Sequence, residues 1–118
     1  MPLSWVFEDR EDHLVVHLEG EWLLPSLFRM LDEIAERCRE VGHVRVLCDF
    51  RNVRGTLAEM TRYLIGVRVA EVLKTIKLAS LVAPDAHVTG FAMRVAERRG
   101  GHLLTTKSLE EAHQWLFG

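Results

Sequence analysis

The sequence predicts an α/β protein built on a single mixed, mostly parallel sheet, with its elements in the order ββαβαβαβα. Three observations carry that expectation. Two short alternating runs near the start, WVFE (5–8) and LVVHLEG (14–20), flank the polar turn EDRED. Later apolar runs are separated by stretches of helical spacing, and strands separated by helices need crossovers that keep neighbours parallel. Two Ser/Thr-x-x-Glu signatures, Thr56 to Glu59 and Ser108 to Glu111, mark helix starts.

Each element has its own justification. In the second run Leu14, Val16 and Leu18 alternate with Val15, His17 and Glu19, the pattern of a hairpin strand. Leu24, Leu27, Phe28, Leu31, Ile34, Ala35, Cys38 and Val41 then recur at helical spacing, with Pro25 suited to the first turn and Gly42 to a left-handed stop. The outer face of that helix carries Arg29, Asp32, Glu33, Glu36, Arg37 and Glu40 and reads as a solvated surface. A strand at 44–50 follows, with Val44, Val46, Cys48 and Phe50 on one side. The second helix starts at the Thr56 box. A strand at 78–83 leads to a helix that Asp85 would cap and Gly100-Gly101 would end, then to a short strand at 103–105 and a last helix from the Ser108 box. Val46, Cys48, Leu64 and Phe91 take the inward phase of these elements and are expected in the core.

The 118 residues are expected to form one domain, 1–118, burying roughly two-thirds of the surface of the unfolded chain. A net charge of −2 gives no basic excess for phosphate neutralisation, so nucleic acid is not an expected partner. The apolar run LASLVA (78–83) is too short to span a bilayer, and the first residues lack the basic-then-apolar layout of a signal peptide. A cytoplasmic protein is expected, with Cys38 and Cys48 as buried thiols rather than a disulfide. The six histidines fall on separate elements, apart from His13 and His17, and have no ligand-spaced partners, so neither a metal nor a cofactor is expected. Ser80 lies mid-strand and neither cysteine has a basic neighbourhood, which argues against nucleophilic catalysis.

The element order, together with an apolar strand ending in Asp49 and the polar loop in CDFRNVRGT, resembles the STAS domain, more closely its SpoIIAA-like, SEC14-like branch. The likeness continues through LVVHLEGEW, LASLVAPDAHVTGFAMRVAE and KSLEEAHQWL. It implies a non-catalytic regulatory module. In the anti-sigma-factor antagonists of that superfamily, a serine at the start of the second helix is phosphorylated by a partner kinase and switches binding. Here RGTLAE stands in place of a DSSGL-like stretch, so Thr56 is the one nearby hydroxyl, open to two readings as a phosphorylation site or a helix cap.

In a parallel sheet the loops after residues 50 and 83 emerge at one edge, which would bring Asp49, Arg51, Asn52, Arg54 and Thr56 near Asp85, His87 and Thr89 as a ligand or partner loop. A small anion could bind there through the arginines, or Arg51 could simply pair with Asp49 or Asp85 and fix the loops. The second helix is apolar on two sides. Leu57, Met60, Tyr63, Leu64 and Val67 form one stripe, taken as the inward one, and Ala58, Ile65, Val69 and Val72 form the opposite one. The outer stripe of Ile65, Val69 and Val72 could be a homodimer or protein-partner face, the wall of a pocket for a lipid-like molecule, or a surface covered by the chain itself. Association through that stripe is the expectation; carriage of an apolar small molecule is the alternative.

Overall fold

The computed structural model describes residues 1–118. Strands β1 (Ser4–Asp9) and β2 (Leu14–Glu21) form the antiparallel hairpin. Then β3 (Arg45–Arg54), β4 (Lys77–Leu81) and β5 (His102–Thr106) add in parallel, giving a five-stranded sheet in the order β1-β2-β3-β4-β5. The helices are α1 (Leu24–Val41), α2 (Glu59–Val72), α3 (Phe91–Arg98) and α4 (Leu109–Phe117). The expected element order is the observed one.

Strand alternation sorts side chains between two cores. Leu14, Val16, Val46, Cys48, Phe50 and Leu78 pack with residues of α1, α2 and α3 on one face. Leu47, Ala79 and Leu81 pack with Ala112 and Leu116 of α4 on the other. α1 behaves as its spacing dictates, with Leu27, Met30, Leu31, Ile34 and Cys38 buried and Gly42 closing it at φ 94°. Both cysteines are buried and unpaired. Burial pushes the Cys38 thiol up to about 11 and raises that of Cys48 as well.

Three local expectations are corrected. β3 is longer than predicted, running to Arg54, and its pairing with β2 shifts register between His17 and Glu19. Gly55 then turns the chain at φ 102°, and α2 begins only at Glu59, with Ala58 as N-cap and no side-chain cap. Thr56 is therefore not a cap. Similarly, Asp85 does not cap α3, which starts at Phe91 after Gly90, so Phe91 is half-buried rather than core.

The third correction is the rotation of α2. Val69 is completely buried, Ile65 and Val72 pack against the same core, and Met60 and Leu64 are the exposed residues, at 68% and 36%. The stripe of Ile65, Val69 and Val72 is thus the inward face, not a dimer face. The reason lies in Gly66. A Cβ there would come within 2.6 Å of the Ala92 carbonyl oxygen and 2.8 Å of Val95 Cβ. α3 can approach α2 this closely only over a residue without a side chain, and that contact fixes which stripe turns inward.

Candidate functional site

The sheet divides the residues that the sequence places in one loop cluster. Asp49 and Arg51 open onto the α4 face, where they line a groove of about 220 Å³ with Arg10, His13, His17 and His113. Thr56 and His87 lie on the other face, at a cavity of about 100 Å³ beneath α2. Asn52, Arg54 and Asp85 are exposed and line neither. The cause is alternation along β3, which sends Asp49 to the side opposite Cys48 and Phe50, while the turn at Gly55 carries Thr56 back over the α2 face.

On the α4 face Asp49, Arg51, Arg10, His13 and His17 each have an oppositely charged or hydrogen-bonding partner. Arg51 Nε and Nη2 donate to the two Asp49 carboxylate oxygens at 2.9 and 2.8 Å, and the Arg51 backbone N–H adds a third bond at 3.1 Å. Arg51 holds the Asp49 carboxyl below the usual carboxylate range. Of the two readings of Arg51, the structure therefore supports the one in which it pairs with Asp49. His17 and Arg10 both contact Glu8, at 2.7 and 2.8 Å, and His13 contacts Asp12 at 2.7 Å. His13 is buried and packs edge-on against His113 and Phe117, with centroids 6.1 and 5.1 Å away. No group of three or more His, Cys, Asp and Glu side chains is arranged to hold a metal ion.

The α2 face is different in kind. Its cavity lies between the sheet and α2, with Leu31, Phe50, Ile65, Val69 and Leu103 among its walls. Of the stripe offered as a pocket wall, Ile65 and Val69 line it and Val72 does not. At the rim, Arg62 Nε donates to the Leu57 carbonyl at 3.2 Å and Nη2 to the His87 carbonyl at 3.1 Å, tying the two loops together. Three lining polar residues, Arg62, Ser80 and Thr105, were not foreseen as site residues. Ser80 carried a legible signal: it is the one hydroxyl in the apolar run LASLVA.

No protein-family model matches the chain, and no curated protein matches it in sequence. Its structure does have solved neighbours. An uncharacterized DUF3478-family protein with a SpoIIAA-like fold from Shewanella loihica superposes with a TM-score of 0.53 at 18% identity, over 97% of this chain and 93% of that one. An anti-sigma factor antagonist from Mycobacterium paratuberculosis superposes with a TM-score of 0.61 at 14% identity, over 99% of this chain and 96% of that one. The fold of this chain is SpoIIAA-like, as the resemblance implied.

Proposed function

We propose that this chain is a non-catalytic, STAS-type regulatory module that works by protein association, in the first place with a second copy of itself. The observation that carries this reading is the outer stripe of α2, where Met60 and Leu64 stand exposed with Val67 half-covered between them and Glu71. An apolar stripe on the outer side of a helix suits a contact surface, where burial would remove it from water. The stripe also suits a twofold pair. If two α2 helices cross antiparallel midway between Ile65 and Gly66, Leu64 of one copy faces Val67 of the other. Glu71 then reaches the uncapped N-terminus of the partner helix, where free amides and the helix dipole favour a carboxylate. The anti-sigma factor antagonist among the structural neighbours is in keeping with a protein partner.

Thr56 supplies a means of control. It is exposed, free of any capping duty, and three residues ahead of the start of α2. A phosphate there would add about −1.5 to −2 charges beside the place where Glu71 of the second copy is expected. The test is sedimentation velocity of the wild type, of Met60→Glu/Leu64→Glu and of Thr56→Glu. The wild type should sediment as a dimer, the double variant as a folded monomer, and Thr56→Glu with weakened association. A wild type that stays monomeric at high concentration would defeat self-association through this face.

A further inference from the structure

We propose that the cavity under α2 is a binding site for a small neutral molecule, a compact hydrocarbon body bearing one hydroxyl or carbonyl group. Size is the first argument. At about 100 Å³ the space is about two-thirds of the ~150 Å³ apolar cavity that accepts benzene; because it is an open cleft, with Thr56 and Arg62 at its edge, it can hold a compact molecule of about benzene's size but not a lipid chain. The second argument is the lining, which is apolar except at few points. Leu31, Phe50, Val69 and Leu103 give it walls that offer a ligand contact but no hydrogen bond.

The third argument concerns Ser80. It is 9% exposed and lines the cavity from β4, yet its hydroxyl takes part in no hydrogen bond with the chain. Arg68 Nε is the one side-chain polar atom fully enclosed without a partner, and the Ser80 hydroxyl is not enclosed to that degree. The chain leaves this hydroxyl without a hydrogen-bond partner, so a ligand that brings a donor or acceptor can complete a bond that the chain does not make. Thr105 lies one strand over, on the β5 partner of Ser80, and lines the same space.

Charge decides against an anionic ligand. Arg62 is the one Arg or Lys lining the cavity, and its Nε and Nη2 already serve the Leu57 and His87 carbonyls. Its Nε also lies 3.3 Å from the Glu59 carboxylate, which matches its charge. A carboxylate entering there would compete with those contacts and be lowered toward an apolar floor. The site is separate from the proposed association face, since Ile65 and Val69 line it from the opposite side of α2 to Met60 and Leu64.

The experiment is an amide-resonance titration of the full chain with phenol, toluene and butyrate as probes, in the wild type and in Ser80→Ala. Phenol should give saturable shifts centred on Ser80, Thr105, Leu31 and Val69, and should bind at least as tightly as toluene despite being the more polar. Ser80→Ala, which removes an unpartnered hydroxyl and should keep its fold, should reverse that order so that toluene binds about tenfold more tightly than phenol. Butyrate should shift none of these resonances at matched concentration. Absence of saturable shifts with phenol, the same preference in Ser80→Ala as in the wild type, or tighter binding of butyrate than of phenol would each overturn the proposal.

Discussion

Thr56 and Ser108 occupy the same four-residue signature and end in different roles. Ser108 Oγ accepts the Glu111 backbone N–H at 3.1 Å, and its own N–H is held by Thr106 Oγ1, also at 3.1 Å, so the turn out of β5 is pinned before α4 begins. Nothing pins Thr56 in that way. Ser108→Ala should therefore cost about 0.5–2 kcal/mol in urea denaturation, whereas Thr56→Ala should change stability by less than about 0.5 kcal/mol. Gly66 poses a contest of opposite sign. Alanine is favoured over glycine within a helix by roughly 1 kcal/mol. Here, however, its methyl would meet the Ala92 carbonyl oxygen at 2.6 Å, backbone that cannot easily move. Overpacking of this kind costs about 1–3 kcal/mol, so Gly66→Ala should lower the thermal midpoint in spite of its better helix propensity.

At the level of elements, α2 is a helix whose two apolar faces have unequal fates. Val69→Glu would force a charge into the core between α2 and the sheet, where Val69 has no exposed surface, and the isolated chain should lose its cooperative unfolding transition by circular dichroism. Leu64→Ala removes a side chain that is already 36% exposed and should cost less than about 1 kcal/mol, well below the 2–5 kcal/mol of a fully buried leucine. A large loss from Leu64→Ala with a silent Val69→Glu would mean the helix is turned the other way. The unequal faces also separate association from folding, because changes at Met60 and Leu64 can act on the first and spare the second.

Across the whole molecule, the carboxylates of Glu8 and Asp9 in the hairpin and of Asp49 within β3 are each held by a basic partner. Asp9 is held by Arg37 and by His43 Nε2 at 3.0 Å, Glu8 chiefly by His17, and Asp49 by Arg51. These contacts hold each carboxyl below its ordinary value. A carboxyl depressed in the folded state adds stability that is present above its unfolded value, near pH 4, and is lost as the pH falls through the lower folded value. The urea midpoint should thus fall on acidification below about pH 4, and Asp49→Asn should remove part of that slope. A pH series of urea titrations on the two proteins checks both statements.

The sequence alone determined the order of the elements, the limits of α1, the cap at Ser108 and the alternation that turns Val46, Cys48 and Phe50 of β3 to one face. Each of these is written in local periodicity or in a cap whose partner lies within four residues. It did not determine which apolar stripe of α2 turns inward, because both stripes satisfy the same spacing and the choice was made by α3 closing onto Gly66. Nor did it place Asp49 and Thr56 on opposite sides of the sheet, since that depends on the extension of β3 to Arg54 and on the turn at Gly55. The cavity with Ser80 in its wall is likewise a tertiary product. Packing between elements distant in sequence creates it, and no periodicity within one element records a space that three others leave unfilled.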